Sequence, residues 1–115
     1  GLKATIFVPT QFISKGGNTS KYMTAQQIRE FSDLGYIIGS HSHSHPTNIS
    51  LLSESTINHE WQKSKQILED ITGKEVLSCS IPGGFYSNDQ WQILNQFYLI
   101  ICNNYHRQIM IFRQF

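Results

Sequence analysis

No apolar run approaches the ~20 residues that a membrane-crossing helix requires; the longest candidate, Tyr98 to Cys102, is the length of a strand. An excess of either charge is also missing. Nine Lys and Arg stand against eight Asp and Glu, scattered to a formal net charge of +1, so there is no basic stripe of the kind that tracks a phosphate backbone. Nucleic acid is thereby set aside as a partner. Cysteine is scarce: Cys79 and Cys102 sit in apolar runs without CxxC spacing and read as buried free thiols. They leave the redox compartment open. The only aspartates are Asp33, Asp70 and Asp89, and all three fall in segments that read as helix. There is neither an initiator Met nor a leader before the strand-like Lys3 to Val8, and the last residues, Ile109 to Phe115, stop within what reads as a strand. Both ends are expected to continue into a longer protein.

What is present is enough for one small domain with a single core, since 115 residues do not supply two. Lys3 to Val8 is a short apolar, β-branched run closed by Pro9, and the polar, glycine-containing stretch to Lys21 reads as the loop after it. Thr24 is placed to cap a helix whose apolar positions Ile28, Phe31 and Leu34 recur every three residues, with Gly35 where a C-cap wants positive φ. A second strand is predicted over Tyr36 to Ser40. Leu52 to Ser55 opens a second helix with Ile57, Trp61, Ser64, Leu68 and Ile71 on one stripe and Gly73 at its end. The opposite face, with Lys63, Lys65, Glu69 and Asp70, reads as solvated surface, and His59 as a surface or packing histidine. Val76 to Ile81 reads as a third strand. Ser87 with Gln90 has capping-box spacing and opens a helix through Trp91, Leu94 and Phe97. Tyr98 to Cys102 and Ile109 to Phe112 are a fourth and a fifth strand, with His106 in the loop between them.

Strands alternating with helices at this spacing imply an α/β fold, built from βαβ units around a mainly parallel sheet. In such sheets the chemistry collects in the loops after the carboxyl ends of the strands. Two loops there stand out. The first, His41-Ser42-His43-Ser44-His45-Pro46, puts three of the five histidines within five residues, and neutral imidazole is the commonest protein ligand for zinc and its neighbours. In a strand that stays extended, His41 and His43 share a face and could chelate together. Pro46 and the intervening serines argue that the strand has already ended, which favours His41 with His45. The second loop, Pro82-Gly83-Gly84-Phe85-Tyr86, has paired glycines that permit a tight turn and a close backbone approach to a ligand.

From Gly1 to roughly Asn103 the chain resembles the metal-dependent polysaccharide deacetylases, the NodB-homology or carbohydrate esterase family 4 domains. Gly1 to Val8 is similar to that family's second barrel strand, Gly35 to Pro46 to its His-(Ser/Thr)-x-x-His motif, and Ile81 to Tyr86 to its substrate-groove loop. The resemblance implies a partial (β/α) barrel with helices packed outside, residues 1–115 forming a single incomplete domain of this type. It implies that His41 and His45 bind a divalent metal, zinc first, with cobalt, nickel or iron also suited to imidazole, while His43 occupies a variable position. It further implies a hydrolase that removes N- or O-acetyl groups from a carbohydrate polymer, with Pro82, Gly83, Gly84, Phe85 and Tyr86 against the sugar. In that mechanism the ion polarises the acetamide carbonyl and activates a water, and a carboxylate takes the proton.

The chain departs from the family in four ways. The family's adjacent aspartates, one the base and one the third ligand, belong to a Thr-Phe-Asp-Asp motif that would precede the present Gly1, and this sequence has neither. The family's arginine before the Pro-containing loop falls near Ser80, and the segment around His106 does not match the family's general-acid histidine motif. Trp91 reads as a helix core residue, not as the groove tryptophan. The expectation is therefore impaired turnover, the alternative being a non-catalytic carbohydrate- or metal-binding remnant. Open sheet edges at Leu2 to Val8 and Ile109 to Phe112 suggest a homo-oligomer, and the resemblance suggests the cell envelope.

Overall fold

A computed structural model describes residues 4–16, 21–103 and 108–111, the last group by backbone alone. Leu2, His106 and Phe112 lie outside the described residues. β1 (Thr5–Val8), β2 (Ile37–Ser40), β3 (Ser78–Ser80) and β4 (Ile100–Asn103) stand side by side in chain order, all parallel, and β5 (Gln108–Ile111) adds antiparallel beyond β4. α1 (Ala25–Asp33), α2 (Glu54–Thr72) and α3 (Asn88–Phe97) link the parallel strands. The sheet is open, as part of a (β/α) barrel must be. Among the described residues no helix is long and apolar enough to cross a membrane.

The register sorts the strands into two faces. Ile6 lies beside Ile38 and Val8 beside Ser40, whose Oγ is 2.6 Å from Ser64 Oγ of α2, so this set looks at the helices. Ser40 pairs with Cys79 and Cys79 with Ile101, which carries the buried face across the sheet. Ile28, Ile57, Trp61, Leu68, Ile93 and Leu94 close the layer from the helix side. Each such side chain contributes about 1.5–3 kcal/mol on full burial, which makes this layer the main stabilising element. Cys102 pairs with Ser80, one step out of phase with Cys79; the two thiols therefore point to opposite faces and both are free.

The other face is only partly covered. Ile37 and Ile100 remain 55% and 41% exposed there. At its centre, a Cβ on Gly39 would come within 2.7 Å of the Phe7 ring and 2.8 Å of Ser78 Oγ, so Phe7 crosses β2 only because that position has no side chain. A cavity of about 370 Å³ lined by Tyr36, Ile37, Leu77, Ser78 and Ile100 opens at the amino ends of the strands, away from the two loops.

Helix ends follow the local signals, with three differences. Thr24 and Gln27 form a complete capping box, and Gly35 and Gly73 end their helices at φ of 98° and 69°. Leu34 is 63% exposed, because it is the C-cap and has left the apolar stripe. Ser87 caps α3, but the Gln90 side chain does not return to it. Fully buried, Gln90 instead accepts from Trp61 Nε1 at 3.2 Å and donates to the Phe85 carbonyl at 2.8 Å. Satisfying a buried indole N–H outweighs a cap bond that water could replace. Lys65 and Glu69 also depart from a solvated face. They pair at 3.0 Å, Lys65 donates to the Val76 carbonyl, and Glu69 accepts from the Val76 amide at 2.9 Å, which ties α2 to the chain entering β3.

Candidate functional site

Both singled-out loops leave the carboxyl ends of adjacent strands, β2 and β3. The strand does end where Pro46 and the serines suggested: Ser42 and His45 take φ of 63° and 51°, in the left-handed region. Each such residue costs about 1–2 kcal/mol when it is not glycine, so the turn must be held from outside. Within it, the His45 amide donates to Ser42 Oγ at 3.1 Å, the short-range bond of a small hydroxyl buried at the turn. Around it, the His41 amide donates to the Val8 carbonyl, and the amides of Thr10 and Gln11 donate to the carbonyls of Ser42 and His43.

The kinked backbone separates the three histidines. His41 is half-buried, and its Nδ1 lies 2.8 Å from the Ser80 carbonyl. A carbonyl can only accept, so Nδ1 carries the proton and the Nε2 lone pair is left for another partner. The His45 ring, exposed, stands edge-on to it with centroids 4.8 Å apart. His43 turns the other way, its Nδ1 2.8 Å from Thr10 Oγ1. His59 lies exposed on α2.

Electrostatics favour neutral imidazoles. The His41 pKa lies below its ordinary value, chiefly through burial, opposed by the Ser80 bond and reinforced by His45. His43 is also lowered, by burial first and then Lys63, against the pull of Glu60, with His59 adding to the lowering. A neutral ring with a free lone pair is the form that binds a metal. Two imidazoles are an incomplete donor set, and among the described residues no group of three or more His, Cys, Asp or Glu is placed to hold a metal ion. Asp33, Asp70 and Asp89 are exposed on the three helices.

In the second loop Pro82 is buried and begins a 3-10 turn that closes at Gly84, with Gly83 at φ of 65° and Gly84 at 73°. Two of its carbonyls are held by side chains: Gly84 by Asn103 Nδ2 at 3.3 Å and Phe85 by Gln90 Nε2 at 2.8 Å. The rings of Phe85 and Tyr86 stay 41% and 45% exposed, Tyr86 edge-on to Trp91 at 6.0 Å. Trp91 is partly buried against the core. The His41 bond to Ser80, two residues before Pro82, brings the two loops together.

The residues that hold the histidine loop, Thr10, Ser80 and Glu60, had no signal in the spacing of the motif. Ser42 did have one, being a small hydroxyl three residues before an amide it could accept from.

The fold recurs in known proteins. The profile of the polysaccharide deacetylase family matches residues 1–99. No curated protein matches the sequence. Among solved structures, the chain superposes on a polysaccharide deacetylase from Bacillus cereus with a TM-score of 0.75 and 22% identity, over 86% of this chain and 29% of that one. It superposes on the Streptococcus pyogenes deacetylase PplD in complex with acetate at 0.74 and 24%, over 83% and 41%. A CE4 family pseudoenzyme from Bacillus anthracis gives 0.73 and 22%, over 88% and 33%. The chain thus spans less than half the length of each of these proteins.

Proposed function

The chain belongs to the polysaccharide deacetylase family, and from that premise we propose that it carries part of the active site of a metal-dependent carbohydrate deacetylase. The reaction is hydrolysis of N-acetyl, or O-acetyl, groups on a carbohydrate polymer. His41 and His45 are its imidazole ligands for a divalent ion, zinc first, with cobalt, nickel or iron also accommodated. The observation that carries the reading is the His41 ring: Nδ1 donates to the Ser80 carbonyl, which fixes the tautomer that leaves Nε2 free beside His45. What the ion supplies when bound is Lewis acidity toward an acetamide carbonyl and a nearby water.

The chain's own residues bind and orient. Phe85 and Tyr86 offer apolar ring faces to a sugar, and the turn through Gly83 and Gly84 lets backbone approach the polymer closely. The alternative is a non-catalytic carbohydrate- or metal-binding member of the fold; Asp33, Asp70 and Asp89 lie exposed on the three helices and offer this stretch no base. Acetate release from an acetylated chito-oligosaccharide, measured with added Zn²⁺ or Co²⁺, separates the two. Turnover above the metal blank supports the enzyme. Saturable sugar binding with no acetate released selects the alternative, and neither result with any acetylated polysaccharide overturns both.

A further inference from the structure

A carboxylate sits buried behind the histidine loop. Glu60, in the middle of α2, is 6% exposed, yet among the described residues the one ion pair is Lys65 with Glu69. Burying an unpaired carboxylate is unfavourable unless hydrogen bonds replace its water. Here they come from one residue: Ser44 donates both its amide, at 2.8 Å, and its hydroxyl, at 2.9 Å, to Glu60 Oε1. Two bonds to a charged acceptor are stronger than neutral ones and fix both the position and the direction of the Ser44 backbone.

Ser44 is the residue before His45, and it lies between the two positions with left-handed backbone, Ser42 and His45. The bonds from Thr10, Gln11 and Val8 restrain residues 41–43. On the far side of the turn the restraints are the Ser42 hydroxyl and Glu60. The His45 ring is exposed and meets His41 only edge-on, so its placement follows chiefly from its backbone.

We infer that Glu60 is a positioning residue, a buried acceptor on α2 that clamps Ser44 and thereby holds the His45 imidazole beside His41. Through this clamp the long helix that forms the core also sets the geometry of the loop. The placement is a property of the chain without metal; its consequence for metal affinity rests on the ligand reading given above.

The test compares Glu60→Ala with Glu60→Gln in the full chain, because Gln retains an oxygen that can accept both Ser44 bonds. In the metal-free protein, nuclear Overhauser contacts between the His41 and His45 rings and slow exchange of the Ser44 amide are expected in the wild type and in E60Q, and are lost in E60A. Titration with Co²⁺ should give a dissociation constant raised by about tenfold or more in E60A and changed much less in E60Q. Should E60A fail to fold, Ser44→Ala removes one of the two bonds and is expected to weaken both signals. Loss of thermal stability in E60A with the ring contacts and the Co²⁺ affinity intact would overturn the inference, leaving Glu60 a structural residue. A wild type that shows the ring contacts but takes up no Co²⁺ contradicts the ligand reading alone, and the clamp is then judged on the contacts.

Discussion

The loops after β2 and β3 leave neighbouring strands of one sheet, yet they are held in different ways. In the histidine loop, side chains as well as backbone are tied: His41 to the end of β3, His43 to Thr10 beyond β1, and Ser44 to Glu60 of α2. In the glycine loop the backbone is pinned at Gly84 and Phe85 while the rings of Phe85 and Tyr86 stay open to solvent. The difference matches the two tasks of the proposed function. A small ion needs donors already in place, because the cost of ordering them is taken from its affinity. A polymer presents a long and variable surface, against which a fixed backbone with adaptable aromatic faces is sufficient.

The contrast can be broken most forcefully at Gln90, on which the glycine loop depends. Gln90→Leu leaves the Trp61 indole N–H and the Phe85 carbonyl without their partner. With about 1–3 kcal/mol for each buried group left unpaired, the loss should be several kcal/mol in denaturant unfolding. A cost under 1 kcal/mol would mean that water replaces Gln90 and that the loop is held elsewhere.

A smaller effect is expected from paired glycine substitutions, one near each loop. In Gly39→Ala the new Cβ meets the Phe7 ring at 2.7 Å and Ser78 Oγ at 2.8 Å, packed between strands. Overpacking of this kind costs about 1–3 kcal/mol. In Gly83→Ala the Cβ meets only the exposed Phe85 ring, which can swing away, so the remaining cost is the left-handed backbone, about 1–2 kcal/mol. Chemical denaturation of both variants checks the order, and Gly83→Ala proving the costlier would invert the contrast.

The smallest effect concerns pH. His41 and His43 both titrate below the ordinary imidazole value in the folded chain, with burial the largest cause. Between the lowered value and the ordinary one the unfolded chain binds more protons, so stability rises with pH across that window. On acidification the contribution is present above the ordinary value, falls through the window and is gone below the lowered value. The slope should shrink in His41→Gln and stay unchanged in Phe85→Ala; an equal slope in all three would move the titration elsewhere.

Much of this arrangement is legible in the residues, and what is missing is missing for a physical reason. The strands, the glycine-ended helices and both loops show up because they are written locally, in apolar runs, caps and breakers. The kink of the histidine loop is visible in Pro46 and the serines. Glu60 is not visible, because it lies 16 residues from Ser44 and reads as one more polar position on a helix. Gln90 misleads for a related reason: its spacing from Ser87 matches a capping box, but the approach of Trp61 from another helix decides its partner. Lys65 and Glu69 follow the same rule, with Val76 as the third party. Local signals place elements, whereas polar partners are chosen by which elements meet.

The central claim, that two of the three clustered histidines form a metal site, is tested most directly by metal uptake in equilibrium dialysis with Zn²⁺ or Co²⁺. The wild type is expected to bind one ion, His41→Ala and His45→Ala to bind none, and His43→Ala to keep most of the uptake. Equal loss from all three substitutions, or retained uptake in either of the first two, would contradict it.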